Sequence, residues 1–107
     1  MKPVRVGIIG FDGLNALDLI GPVEAFATAR SLNRNGSEKN PYEILVLGLS
    51  RRRFVAESGV VFHPQTTLHS APSLDTILIP TGARWRRGGL KRGLETRVNA
   101  RCPWTRA

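Results

Sequence analysis

Three short runs of apolar residues punctuate the first four-fifths of the chain. They lie at residues 4–11, 42–49 and 75–80 and are rich in Val, Ile and Leu. Apolar residues follow one another in these runs instead of alternating with polar ones, which is typical of strands buried on both faces of a parallel sheet. The pattern therefore predicts three central strands.

Between the first two runs the apolar positions change to a helical spacing. Apolar residues recur every three or four positions from Ala16 to Ala27, as on the buried face of a helix. Pro22 interrupts this pattern, and proline suits the first turn of a helix better than its middle because it has no backbone N–H. We therefore predict a short helix at 15–20, a kink, and a second helical segment at about 22–32.

A hairpin is predicted between the second and third central strands. The apolar residues at 54–56 and 60–62 flank Glu57-Ser58-Gly59, which supplies a turn. Strand, helix, strand, hairpin and strand follow one another in the order of βαβ units. The sequence thus predicts an α/β fold, with a parallel sheet and helices on both of its faces.

The charge divides the chain into two parts. Residues 1–83 contain eight Lys or Arg and seven Asp or Glu, a net charge of +1, whereas residues 84–107 contain eight Lys or Arg and one Glu, a net charge of +7. Beyond about Ala83 the apolar periodicity also ends. We therefore predict a folded unit at 1–82 and a basic, irregular tail at 83–107.

Asp18 is the strongest candidate for a functional side chain. It lies in the predicted helix, just beyond the carboxyl end of the first strand, where open α/β sheets place their binding sites. One interpretation is an exposed acid in the first helical turn, stabilised by the helix dipole. The other is an acid beside a reactive group, with a pKa set by partial burial.

The sequence gives no indication of a motif that would bind a nucleotide cofactor or a metal ion. Gly7, Gly10 and Gly13 have the spacing Gly-x-x-Gly-x-x-Gly and not that of a dinucleotide-binding turn. His63 and His69 are not at metal-ligand spacing with the single cysteine. We therefore predict no cofactor and no metal site.

Cys102 is the only thiol available as a nucleophile, and its surroundings do not favour that role. The next residue is Pro103, which lacks the N–H that a nucleophile elbow contributes to an oxyanion hole. We expect no enzymatic activity from this chain.

A single cysteine fits the reducing cytoplasm, and no apolar run approaches the roughly 18 residues of a transmembrane helix. We therefore predict a cytoplasmic protein without membrane contact.

The basic tail offers at most non-specific contact with nucleic acid. Its arginines could contact phosphates and its tryptophans could stack on bases. The alternatives are a disordered, soluble segment and the product of a truncated or shifted reading frame. The candidate nucleic-acid contacts are Arg84, Arg86, Arg87, Lys91 and Arg92.

The first 82 residues resemble the ThiJ/PfpI superfamily, whose domain is the class I glutamine amidotransferase-like fold. The resemblance begins with Val-Gly-Ile-Ile-Gly-Phe-Asp-Gly at 6–13 and is most specific in the Leu-Asp-Leu-x-Gly-Pro-x-Glu-x-Phe run at 17–26. It continues through 42–50 and 56–60 to Asp-Thr-Ile-Leu-Ile-Pro-Thr-Gly at 75–82. It is similar above all to the amino-terminal domain of AraC-family transcriptional regulators, and also to isonitrile hydratase-like enzymes.

The resemblance implies a flavodoxin-like domain of which this chain holds the amino-terminal half. It implies a homodimer and, in the full-length family, a small-molecule ligand. Asp18 matches the acidic position of the family enzymes, whose reactive cysteine has no counterpart here. The best-matching function is a fragment of the ligand-sensing domain of a regulator, without its DNA-binding domain. The alternatives are a fragment of an isonitrile hydratase-like or amidotransferase-like enzyme and a basic nucleic-acid-binding protein. The implied pocket residues are Asp18, Gly21, Pro22 and Gly82.

Overall fold

The computed structural model describes residues 2–32 and 36–82. The predicted tail at 83–107, with its candidate nucleic-acid contacts and Cys102, lies outside the described residues. In chain order the elements are β1 (Val4–Gly10), α1 (Ala16–Thr28), β2 (Ser31–Leu32), β3 (Glu38–Lys39), β4 (Tyr42–Gly48), β5 (Phe54–Val55), β6 (Val61–Phe62), β7 (Thr66–Thr67) and β8 (Thr76–Leu78).

A four-stranded parallel sheet organises the described part of the chain. Its strand order is β7-β4-β1-β8. β1 pairs along its whole length with β4, from Val4 opposite Tyr42 to Gly10 opposite Gly48. On its other side β1 pairs with β8 over three residues, from Val6 to Ile8. The predicted central strands and their parallel arrangement are confirmed, and β7 is a short addition that the pattern did not predict.

α1 is one continuous helix, so the predicted division into two helical segments is wrong. Pro22 lies inside it and removes a single hydrogen bond, the one its N–H would have donated to the carbonyl of Asp18. The predicted extension to residue 32 is also wrong. The backbone becomes extended at Ala29, and β2 then pairs with β3 in an antiparallel hairpin.

The core lies where β1 meets the helix and the loops that cover the sheet. Ile8 and Ile9 are fully buried, as are Leu14, Leu19 and Leu47. Gly7 is a packing glycine, since a Cβ there would lie 2.8 Å from Cδ1 of Leu47. Close packing is thus sufficient to explain why a glycine lies inside this strand.

The predicted hairpin is present as β5 and β6. Phe54 lies opposite Phe62, and their rings stack with centroids 5.5 Å apart. Phe54 is buried, and its ring fills the space that a side chain at Gly10 would need. The hairpin thereby covers the carboxyl end of β1.

Arg5 ties the amino-terminal end of β1 to both neighbouring strands. Its backbone N–H donates to Oδ2 of Asp75 at 2.8 Å, and its carbonyl accepts from the N–H of Asp75 at 2.8 Å. Its guanidinium forms an ion pair with Glu43 at 3.1 Å.

Among residues 2–32 and 36–82 no helix combines the length and apolar character needed to cross a membrane.

Candidate functional site

The candidate site lies at the carboxyl ends of β1 and β8. After β1 the chain turns into α1 and returns to the sheet as β4 on one side, whereas β8 lies on the other side of β1. This divergence of neighbouring strands is the switch point where open α/β sheets bind ligands. Two loops meet there, because Leu14 forms an antiparallel bridge with Gly82 and the N–H of Asn15 donates to the carbonyl of Thr81 at 2.7 Å.

Asn15 fixes where the helix begins and so where Asp18 is placed. Its side-chain Oδ1 accepts from the backbone N–H groups of Leu17 at 3.0 Å and Asp18 at 3.3 Å. Its amide Nδ2 donates to Oε1 of Glu57 at 3.2 Å. Asn15 is therefore the N-cap, and it places Asp18 in the first turn, where a negative charge interacts favourably with the helix dipole.

The Asp18 carboxylate is hydrogen-bonded to Thr81 across the site. Its Oδ2 accepts from the backbone N–H of Thr81 at 3.3 Å and also from the Thr81 hydroxyl. Its Oδ1 has no partner among residues 2–32 and 36–82. Asp18 is exposed, as expected of a solvent-facing acid in the first helical turn. It also has a specific hydrogen-bond partner, Thr81, in the segment that follows β8.

An open depression of about 330 Å³ extends from this pair along α1 and the end of β8. Its walls are mainly apolar, and Leu17, which lines it, is 75% exposed. A carboxylate beside exposed apolar surface suits a ligand that has both a hydrogen-bond donor and an apolar part. The lining residues are Leu17, Asp18, Pro22, Leu78, Ile79, Pro80 and Thr81.

The four pocket residues implied by the resemblance are only partly brought together. Asp18 and Pro22 line the depression. Gly82 adjoins it through the bridge to Leu14 and is packed so closely against the backbone of Gly13 that no side chain fits. Gly21 is exposed on the helix with open space around it and does not line the depression.

Sequence reasoning missed two residues that build the site, Asn15 and Thr81. An Asn directly before an apolar helical pattern is a recognisable N-cap signal, so Asn15 was identifiable. Thr81 was not, because it lies 63 residues from Asp18 and no local pattern links the two.

A second cleft, of about 220 Å³, opens at the carboxyl ends of β1 and β4. Asp12, Ser50, Arg52 and Arg53 line it together with Phe54 and the strand ends. The sequence signal for this cleft was the run of three arginines at 51–53, directly after a strand. Within the described ranges no three His, Cys, Asp or Glu side chains are grouped as a metal site.

Comparison with curated proteins shows similarity in sequence to a bacterial protein. An uncharacterized protein in the cpoL 5' region of Streptomyces lividans is 30% identical over 80 residues, which cover 75% of this chain and 52% of the relative. The chain thus spans about half the length of that relative. No family model matches the sequence.

Solved structures share the fold of this chain. A ThiJ/PfpI family protein from Pseudomonas syringae superimposes with a TM-score of 0.74 at 16% identity, over 94% of this chain and 38% of that protein. Drosophila melanogaster DJ-1beta superimposes with a TM-score of 0.66 at 16% identity, over 88% of this chain and 46% of that protein. An AraC family transcriptional regulator from Pseudomonas putida superimposes with a TM-score of 0.53 at 20% identity, over 92% of this chain and 59% of that protein.

These similarities establish the fold of the chain. The parallel sheet with its helix is part of the flavodoxin-like fold seen in ThiJ/PfpI and DJ-1 proteins. The predicted fold class and the resemblance to this superfamily are thereby confirmed at the level of the fold. The chain covers 38–59% of the three solved proteins.

Proposed function

We propose that this chain forms the amino-terminal half of a ThiJ/PfpI-type domain that binds a small molecule and acts as the sensor of an AraC-family transcriptional regulator. The observation that carries the proposal is the Asp18–Thr81 pair at the mouth of an apolar depression. The fold shared with an AraC family regulator from Pseudomonas putida supports the regulatory setting.

The geometry of the pair favours binding over catalysis. Oδ2 of Asp18 already accepts two hydrogen bonds from Thr81, which hold the carboxylate in place. Oδ1 is left to accept from an N–H or O–H group of a ligand, while Leu17 and Leu78 contact its apolar part. A charged acceptor at the edge of an apolar wall gives orientation to a small ligand without any covalent step.

The second candidate function is part of an isonitrile hydratase-like or amidotransferase-like enzyme. It is favoured by the placement of Asp18 at the carboxyl edge of the sheet, where an acid can serve a reactive group on a neighbouring loop. Such chemistry needs a nucleophile and oxyanion donors beside the acid. The single cysteine of the chain, Cys102, is followed by a proline and is a poor candidate for that nucleophile.

Two measurements on the purified chain separate these functions. In the first, NMR amide shifts are followed during titration with butylamine, butanol and butyrate, which share an apolar tail. The sensor proposal expects butylamine to shift the Asp18 and Thr81 amides most, and Asp18→Asn to remove that preference. Equal responses to all three compounds would contradict it.

The second measurement is turnover of isonitriles, glutamine and a peptide panel. We expect no product above the rate of the Asp18→Asn variant. Turnover that is lost in both Asp18→Asn and Cys102→Ser would overturn the sensor proposal in favour of the enzyme. The coding sequence downstream gives an independent test, since a helix-turn-helix supports the regulator and a cysteine elbow supports the enzyme.

A further inference from the structure

The cleft between the carboxyl ends of β1 and β4 is separate from the Asp18 site. The two lie on opposite sides of β1, because β4 and β8 flank that strand, and no residue lines both. The cleft is therefore a second candidate site with its own lining, and an inference about it does not rest on the function proposed for Asp18.

Two arginine side chains give this cleft its chemistry. Arg52 and Arg53 both line it, and both are exposed. Neither guanidinium has a hydrogen bond or ion pair to any other residue in the described part of the chain. The guanidinium of Arg5, by contrast, is paired with Glu43, whereas the two cleft arginines keep their donors for a ligand.

The backbone beside the two arginines forms a hydrogen-bonded, closely packed turn. The N–H of Arg52 donates to Oγ of Ser50 at 3.3 Å. A side chain at Gly48 would collide with the carbonyl of Ser50, so the turn after β4 is closely packed. This closely packed turn presents consecutive arginines at one edge of the sheet.

One acid limits the positive charge of the cleft. Asp12 also lines the cleft, and its Oδ1 accepts from the backbone N–H of Val55 at 2.9 Å. That bond holds Asp12 against the β5 hairpin. The cleft keeps a net charge of +1 from these three side chains, which favours an anion.

We propose that this cleft binds a small oxyanion, a phosphate monoester or a carboxylate, through the guanidinium groups of Arg52 and Arg53. Guanidinium donors match the oxygen spacing of both groups and bind them in a bidentate manner. The volume of about 220 Å³ lies below the range of about 300–1,000 Å³ typical of pockets for drug-sized ligands. The occupant is therefore a compact anion and not a large cofactor.

The test is titration of the full chain with inorganic phosphate and, separately, with acetate, followed through the amide shifts of Gly48, Ser50 and Arg52. The proposal expects saturable shifts at these residues with at least one of the two anions. In Arg52→Gln/Arg53→Gln the dissociation constant should rise by about tenfold or more, since each hydrogen bond to a charged group contributes strongly. Unchanged dispersion of the other amides shows that the variant is folded.

Matched variants separate the cleft from general positive charge. Arg86→Gln/Arg87→Gln removes the same two charges from the tail, and Arg51→Gln removes the neighbouring arginine that does not line the cleft. Both should bind the anion within about twofold of the parent, because both variants keep the Arg52 and Arg53 guanidinium groups that line the cleft. The proposal is overturned by an equal loss in the tail variant, by shifts that do not saturate with either anion, or by binding only of an oligonucleotide.

Discussion

The carboxylate of Asp18 on α1 and the N–H and hydroxyl of Thr81 after β8 are hydrogen-bonded to one another although 63 residues separate them. The pair closes the gap between the start of the helix and the end of the edge strand. Because it joins elements that the chain reaches at very different points, it acts on the stability of the fold as well as on the candidate site.

A double-mutant cycle should reveal this coupling. Thr81→Val removes the hydroxyl with little change of shape, and Asp18→Asn removes the charge. We expect each single variant to lower the free energy of unfolding by about 1 kcal/mol, the size of a typical net hydrogen bond, and the double variant to lose less than the sum of the two. Urea unfolding measures all four chains. Strictly additive losses would show that the two residues do not interact in solution.

The N-cap gives a second prediction. Asn15→Ala leaves the N–H groups of Leu17 and Asp18 without their acceptor and should cost about 0.5–2 kcal/mol of stability. Asn15→Asp and Asn15→Ser keep an acceptor oxygen at the cap and serve as controls. Equal destabilisation by all three substitutions would mean that the amide bond to Glu57, and not the cap, is the stabilising contact.

Substitution of alanine for glycine should have different effects on stability at Gly10 and at Gly21. Gly10→Ala places a methyl group inside the buried ring of Phe54, so we expect a loss of roughly 1–3 kcal/mol or more from overpacking. Gly21→Ala enters open space on the helix. Its gain in helix propensity of about 0.5–1 kcal/mol is opposed by crowding against Pro22, so the net change should be small. Thermal melts of both variants compare them directly, and similar losses at the two sites would contradict the packing described here.

β8 should drive self-association of the isolated chain. Within the described residues it pairs only with β1, which leaves an apolar strand edge that favours pairing between chains. Leu78→Lys should shift the chain towards monomer in light scattering after gel filtration. Val61→Lys, which changes an exposed apolar residue of β6, is the matched control and should leave association unchanged. Equal effects of both variants, or a parent chain that is already monomeric at high concentration, would exclude the edge as the cause.

Nucleic-acid binding through the tail should be weak and indifferent to sequence. Residues 84–107 hold eight basic side chains, and release of counterions from a few phosphate contacts makes affinity fall by orders of magnitude between low and moderate salt. Fluorescence anisotropy with two unrelated duplexes at several salt concentrations measures this. A marked preference for one duplex that persists at moderate salt would contradict the prediction.

The sequence predicts the central sheet and the hairpin well because their signals are local. Continuous apolar runs mark β1, β4 and β8, and a Glu-Ser-Gly turn marks the hairpin. The course of α1 was misjudged at Pro22, since a tertiary fold tolerates the loss of one helical hydrogen bond that local propensity counts against the helix. β7 was missed because Thr66 and Thr67 form a strand only through pairing with Leu47 and Gly48.

The candidate site was half predictable for the same reason. Asp18 follows from its place after β1, and Asn15 from capping chemistry. Thr81 and the cleft arginines acquire their roles only when the parallel sheet brings the carboxyl ends of three strands to one edge. Contacts of that kind depend on topology and leave no periodic trace in the sequence.

The central position of β1 has a consequence for the order of folding. Residues of β1 pair with residues 38 positions further along the chain in β4 and 70 positions further along in β8, as Val4 does with Tyr42 and Val6 with Thr76. Every ladder bond of β1 therefore closes a long loop before any packing is gained, which slows folding relative to helical proteins of equal length. During synthesis the first strand made is the last to be fully paired, because it waits for Thr76–Leu78 to emerge. Amides of β1 should thus become protected from hydrogen exchange together with those of β8, and later than those of the β5–β6 hairpin.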